Sequence, residues 1–418
     1  SACHSINTEP TYSEKKSSFE EMGGRVLDPK YEEVENVWYV DFASLYPHIF
    51  CLFTLFAEVP EGTTGDIWHG NDLFKVRGYY DISYHHRLSK VVKEKLKERS
   101  ELKAKDKDNP MIYTLKIWLN GLYGVTRSSI FEKVHTPNCG WDCCLLGQQI
   151  QEFAQKELEN YGFEAVYGDT DSIMIRGTKT CHNDRDYIKV CLKKIVKKIL
   201  DNVPFPVDTF KIDIENFIEY MLFPFSEQPI VDKETGKNLK KGNRLIKERK
   251  GKKKFYAYIY EKDGKLDIKL VGLPIKKDNA TPLGIKIYNE ALKPLILEKK
   301  RAKFPKEFID KQIDTYLKDK EIMKLLAIEY KVNPAETYKK ESQIHAQISK
   351  QYFNGDSGVI SLIKNNKIGE VGKGNKYCSI EEAIKADLTT EDLVLEKLEN
   401  ELQPFVLYEE KLDNPTEK

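Results

Sequence analysis

Asp41 closes a short apolar run, Val37-Trp38-Tyr39-Val40, and Asp169 and Asp171 flank Thr170 between two further apolar runs. Asp at such places is either an ordinary turn residue or a ligand. A strand end and a hairpin tip in one sheet can bring three carboxylates within a few ångströms, and residues two apart in a regular strand share a face. Grouped anions without a counter-charge repel and raise their own pKa values. Hard divalent cations relieve this, and Mg²⁺ takes oxygen ligands. Two such ions about 3.5–4 Å apart can activate one oxygen and stabilise a leaving oxygen in phosphoryl transfer.

A second constellation is Lys116, Asn120 and Tyr123. Their separations of four and three let one helical face present them together. Residues 81–110 hold nine Lys or Arg, and residues 233–254 hold eleven against two Glu. Within the first tract, residues 87–105 read as an exposed helix. The second reads as a phosphate track or a solvated loop.

These residues need elements to position them. Gly23-Gly24 reads as a bend entering a strand, since paired glycines admit angles closed to other residues. Residues 37–40 are β-prone, and Leu45 onward reads as a helix or turn. Residues 87–105 and 111–123 are expected helices joined by a turn, an antiparallel hairpin. Leu145, Leu146, Ile150, Phe153, Ala154 and Leu158 recur near helical spacing, so 141–160 is an amphipathic helix. Residues 165–175 form a β-hairpin, 185–200 a helix, 205–225 strands and 255–260 a strand. Beyond Gly272 the composition turns helical, with segments expected at 279–313 and 321–330. A domain boundary is expected near 265–275.

The chain has 418 residues, 40% hydrophobic and 32% charged, with 24 Gly and 17 Pro. That composition excludes collagen-like, mucin-like and disordered classes. Net charge is +1, so the average announces no nucleic-acid ligand. No apolar run approaches the roughly 20 residues of a membrane span. The eight cysteines make no dense pattern, which suggests a reducing compartment and buried thiols. Cys139, Cys143 and Cys144 lie near His135, with Cys181-His182 further on, but they supply no clear second zinc half-site. His48 reads as a packing residue. Asp213 and Glu215 read as a structural ion pair or as part of the carboxylate site.

Asp41-Phe-Ala-Ser-Leu-Tyr-Pro47 resembles motif A of family B DNA polymerases. Lys116-Ile-Trp-Leu-Asn120-Gly-Leu-Tyr-Gly124 is similar to their motif B, and Tyr167-Gly-Asp-Thr-Asp-Ser172 to their motif C. Lys252-Lys-Lys-Phe-Tyr256 is similar to the Lys-x-Tyr element that follows. Leu270-Val-Gly-Leu-Pro-Ile-Lys-Lys-Asp278 and Ile344-His345 are weaker likenesses to the palm–thumb junction and thumb. The order and gaps are those of the family, over roughly residues 20–400.

The resemblance implies an α+β right-hand core with an antiparallel-sheet palm, helical-hairpin fingers and a mainly helical thumb. Its divisions fall at 1–80 (N-terminal segment and motif A), 81–124 (fingers), 125–268 (rest of the palm) and 269–418 (thumb). It implies primer-dependent, template-directed DNA synthesis with two Mg²⁺ ions, Mn²⁺ being an alternative. Asp41 and Asp171 would bridge both metals, Asp169 would be auxiliary, and the Phe42 carbonyl would complete a shell. The Ser44 and Leu45 amides would hold the triphosphate, and Tyr46 would exclude a 2′-OH. Lys116 and Lys93 would contact phosphate, Lys93 lying 23 residues before Lys116. Arg99 and Lys103 have the right mutual spacing but leave a short hairpin. Asn120 and Tyr123 would line the nascent pair, and Gly124 would relax packing where its helix ends. Gly23, Gly24, Gly124, Lys253, Lys254 and Tyr256 are expected DNA contacts. The departures are Ser89, where the family usually has an Arg that Arg87 or Lys90 would replace, and Glu21, His48 and Gly121, where it often has Tyr, Ser and Ser.

Partners implied are a primed template, dNTPs, a sliding clamp and an N-terminal or exonuclease subunit, with no membrane. Only 40 residues precede Asp41, so the expectation is a chain that does not proofread alone: a split, processed or incomplete polymerase. The setting implied is a prokaryotic cytoplasm or nucleoid, or a viral replisome. The competing expectation is a non-catalytic, polymerase-like DNA-binding subunit.

Overall fold

The computed structural model describes residues 23–128, 130–131, 136, 138–178, 184–232, 235, 237–241, 244–300, 311, 322–340, 342–369, 376–388 and 392–405. Two compact units are present. The first takes the chain up to Tyr31 and Glu35–Ile218, and the second takes Glu32–Val34 and the chain from Glu219 onward.

Strand β1 (Glu33–Phe42), whose first two residues belong to the second unit and the rest to the first, buries Val34, Val37, Val40 and Phe42. The left-handed backbone at Asn36, φ 57°, interrupts the alternation between Val34 and Val37. Helix α1 (Leu45–Leu52) follows, with Pro47 in its first turn, where a missing N–H costs little. Three short strands, β2 (Glu58–Val59), β3 (Ile67–Trp68) and β4 (Tyr79–Asp81), make a small sheet in the order β2-β4-β3.

Helices α2 (Arg87–Lys105) and α3 (Pro110–Arg127) form the expected hairpin. The turn between them ends at Asn109, whose side chain accepts from the Met111 N–H, and Pro110 sits at the first helical position. Helix α3 continues through Gly124 to Arg127, so Gly124 does not mark its end. Helix α4 (Cys139–Asn160) leads to β5 (Phe163–Asp169), β6 (Ser172–Gly177), α5 (Arg185–Leu200) and β7 (Ile212–Leu222). The sheet order here is β5-β6-β1-β7. Leu146, Ile150, Ala154 and Leu158 of α4 bury with Ile188, Leu192, Ile195 and Ile199 of α5 and with Val40, Ala165, Ile173 and Ile175 of the sheet. Each Leu, Ile or Val among them contributes roughly 1.5–3 kcal/mol on burial.

The second unit begins with the outer end of β7. Strand β8 (Phe225–Pro229) pairs with β11 (Lys247–Gly251), and β9 (Lys240–Lys241) pairs with β10 (Arg244–Leu245). Strands β12 (Tyr256–Lys262) and β13 (Lys265–Val271) join through Asp263-Gly264, both at positive φ, as a two-residue hairpin turn requires. Their apolar face, including Ala257 and Ile259, belongs to the core of this unit. The division between the two compact units falls within β7. Helices α6 (Pro282–Ile287) and α7 (Lys293–Leu297) follow, joined by a π-helical turn.

Helix α8 (Ile322–Leu326) is shorter than the expected 321–330 helix, because Ile328–Val332 is strand β14. Ile328 and Val332 are buried while Glu329 and Lys331 face solvent, a period-two pattern too short to outweigh the helical composition around it. Strand β15 (Gly358–Asn365) lies between β14 and β16 (Lys376–Ser379), a sheet absent from the expected mainly helical thumb. Helix α9 (Ile344–Phe353) carries the Ile344-His345 pair, and α10 (Ile380–Lys385) and α11 (Glu396–Leu402) complete the unit. Residues 301–310 and 312–313 of the expected 279–313 segment, and His135, Cys181 and His182, lie outside the described residues.

Candidate active site

Asp41 stands opposite Ser172 in the β1–β6 register. The next rung is a main-chain bond: the Phe42 N–H donates to the Asp171 carbonyl at 2.8 Å. Asp41 and Asp171 are thus fastened together by backbone. Burial first, then the Asp171 and Glu215 carboxylates, push Asp41 up to about 8, while Lys116 and Lys103 pull it down. Of the Asp213–Glu215 pair, Glu215 joins this cluster. Asp213 forms an ion pair with Lys211 at 2.6 Å.

The hairpin tip is strained. Thr170 adopts φ 58°, which a β-branched residue rarely does. Its N–H donates to the Arg25 carbonyl at 2.9 Å, and its hydroxyl donates to Asp169 Oδ1 at 2.9 Å. Asp169 is therefore held within the turn, with its main chain bridged to Val26. Strain of this kind persists only where the surroundings over-determine it.

Three cations lie near this cluster. Lys116 and Lys103 both act on Asp41. Arg99 Nη1 donates to Ser44 Oγ at 3.0 Å. Burial lowers the pKa of both Arg99 and Lys103, and Arg99 adds to the lowering at Lys103. Lys93 is not brought here; its charge acts on Cys51 and His85. Ten residues of helix put it about 15 Å along the axis from Lys103. The hairpin is short, and Arg99 and Lys103 are the α2 cations that belong with Lys116.

Ser44 caps α1 in a left-handed conformation, φ 57°. The amides that open a helix have no intrahelical acceptor and favour anions, which suits Ser44 and Leu45. His48 Nδ1 lies 3.0 Å from the Ser44 carbonyl and Nε2 lies 2.9 Å from Thr209 Oγ1. The carbonyl can only accept, so the proton sits on Nδ1 and Thr209 donates to Nε2. Tyr46 packs against Tyr123 with ring centroids 4.9 Å apart. Burial raises both phenols, so both stay protonated. Asn120 is exposed on α3.

No protein-family model matches the sequence. DNA polymerase 1 of Saccharolobus solfataricus is 25% identical over 79% of this chain and 35% of its own length. The DNA polymerase of Archaeoglobus fulgidus is 24% identical over 70% of this chain and 33% of its own. The family B DNA polymerase of Pyrobaculum calidifontis superposes with a TM-score of 0.53 at 16% identity, over 92% of this chain and 46% of that one. This chain carries a family-B-like DNA polymerase core. It spans about one third of the length of the two curated relatives named here.

Other expected contacts of the polymerase core fall in both units. Gly24 lies against the motif C tip, where a Cβ would collide with the Thr170 side chain. The Gly23 carbonyl accepts from Gln148 Nε2 at 2.6 Å. A Cβ at Gly124 would meet nothing within 4 Å. In the second unit, Lys254 is left-handed at φ 64°, with its carbonyl against Gly272. Lys253 precedes it. Tyr256 is buried beside Phe223 and Tyr258. Among the described residues no helix is long and apolar enough to cross a membrane.

The donor chemistry fits Mg²⁺. Burial, with the neighbouring Asp171 and Glu215 carboxylates, holds Asp41 near 8, and a hard cation there would favour its charged form. Among the described residues, no three acidic, His or Cys side chains form an ion cage by themselves. Mg²⁺ does not need one, because it usually keeps water and substrate phosphate in its shell.

Proposed function

We propose that the chain catalyses template-directed, primer-dependent DNA synthesis: nucleotidyl transfer from a dNTP to a primer 3′-OH with release of pyrophosphate. The observation that carries this reading is the pair Asp41 and Asp171, joined by main chain and met by Lys103 and Lys116. Two Mg²⁺ ions held by Asp41, Asp171 and the Phe42 carbonyl would supply Lewis-acid activation of the attacking and leaving oxygens. Asp169 serves as an auxiliary carboxylate that keeps the hairpin tip in shape.

Lys116, Lys103 and Arg99 neutralise the triphosphate, with the Ser44 and Leu45 amides. Negative charge that develops on phosphoryl oxygens is then met by fixed cations, which is where most catalysis of this reaction lies. Tyr46 forms the floor beneath the sugar and excludes a 2′-OH. Asn120 and Tyr123 line the nascent base pair. The partners are primed DNA and dNTPs, and Lys253, Lys254 and the basic strands β9 to β11 suit a phosphate backbone.

Primer extension tests this. Purified chain with Mg²⁺ and dNTPs is expected to lengthen a labelled primer on its template, and Asp171→Asn to abolish the product. In the unsubstituted chain, Mg²⁺ is expected to raise the melting temperature at pH 8, and Asp171→Asn to remove most of that rise. Extension by Asp171→Asn at the unsubstituted rate would overturn the reading.

A further inference from the structure

Helix α4 presents Gly140, Cys144 and Gly147 at separations of four and three, hence on one face. Each meets one residue of the nucleotide side. A Cβ at Gly140 would stand 2.5 Å from Arg127 Cγ, and one at Gly147 would stand 2.8 Å from Tyr46 Cε1. Cys144 Sγ lies 2.8 Å from the Tyr123 hydroxyl and 3.7 Å from the Tyr46 hydroxyl. Arg127 Nη1 donates to the same Tyr123 hydroxyl at 2.6 Å. A line of polar contacts therefore runs from Arg127 through Tyr123 and Cys144 to Tyr46. Cys143 adds a 3.9 Å contact to the Tyr46 carbonyl.

A tyrosine ring moves about two side-chain torsions, so what lies beneath it fixes its height. Beneath Tyr46 are a glycine with no side chain to spare and a thiol shared with Tyr123. We propose that Cys144 and Gly147 are positioning residues that set the height of the Tyr46 ring, and through it the preference for deoxy- over ribonucleotides. The proposal rests on the polymerase reading above. The thiol acts through contact alone, and a hydroxyl of similar size can make the same contacts.

The test is single-nucleotide incorporation by the full chain, with dNTP and rNTP measured separately. Cys144→Ala lets the ring settle, and the preference for dNTP is expected to fall about tenfold, the scale of one lost pocket contact. Cys144→Ser is expected to restore it. Gly147→Ala lifts the ring toward the sugar, and the KM for dNTP is expected to rise about tenfold with a smaller change in kcat. In a Tyr46→Ala background both effects are expected to vanish, because they act through that ring.

Unmoved selectivity in Cys144→Ala and unmoved KM in Gly147→Ala would overturn the proposal, as would shifts of equal size without Tyr46. Melting curves show whether Gly147→Ala folds. If it does not, the Cys144→Ala and Cys144→Ser comparison decides alone. If the unsubstituted chain extends no primer, the polymerase reading has failed and this inference falls with it. Extension with unchanged selectivity sinks this inference only.

Discussion

His48 spends the native state neutral, because burial pushes its imidazole down to about 4 from an ordinary 6.5. The folded value lies below the unfolded one, so the stability involved is complete above pH 6.5 and is lost as pH falls toward 4. His48→Gln is expected to flatten that loss. The difference in unfolding free energy between pH 7 and pH 4 should shrink by up to about 3 kcal/mol. The cations give a sharper comparison. Arg99→Ala and Lys103→Ala are each expected to raise the KM for dNTP at least tenfold, and Lys93→Ala to leave it near that of the unsubstituted chain. Equal effects from all three would sink the assignment. Asp41, Asp171 and Lys116 were legible in the sequence because their neighbours form dense local motifs. Arg99 was not, since a lysine-rich amphipathic helix offers several registers and only the length of the hairpin selects one.

At the scale of elements, Asp142 shows how α4 is anchored. Its carboxylate is fully buried and accepts from the Arg77 and Gly78 N–H groups at 2.9 and 2.8 Å and from the Tyr80 hydroxyl at 2.6 Å. Burial raises its pKa against the pull of those donors. Asp142→Ala would take the acceptor from the buried Gly78 N–H and Tyr80 hydroxyl, at about 1–3 kcal/mol each, and from the part-buried Arg77 N–H. Thermal unfolding is expected to show a loss of at least about 3 kcal/mol, and Asp142→Asn a smaller one. Nothing about a single Asp near a helix start announces this role, because its partners come from β4 and the residues just before it, 62 to 65 positions earlier. The helices themselves were readable from periodicity, as Leu146, Ile150, Ala154 and Leu158 show. Strand β14 was not, because five residues carry little periodicity and Lys/Glu-rich neighbours favour helix.

For the whole molecule, sequence reading fades toward the carboxyl end. The first unit carries motifs A to C, whose strands and helices are pinned by chemistry. The second is held by burial, and by devices such as Glu401, which accepts from the Thr281 N–H at 3.0 Å and from its hydroxyl at 2.5 Å. Such long-range pairs leave no local trace in composition. The main-chain bond from Phe42 to Asp171 has a consequence for mixtures of chains. Because backbone and not side chains holds the two carboxylates side by side, replacing either removes charge and leaves the frame standing. An Asp171→Asn chain should therefore still occupy primer ends. Added in excess to active chain, it is expected to act as a dominant poison, slowing extension in proportion to its share of the mixture, an effect that surplus primer-template would rescue.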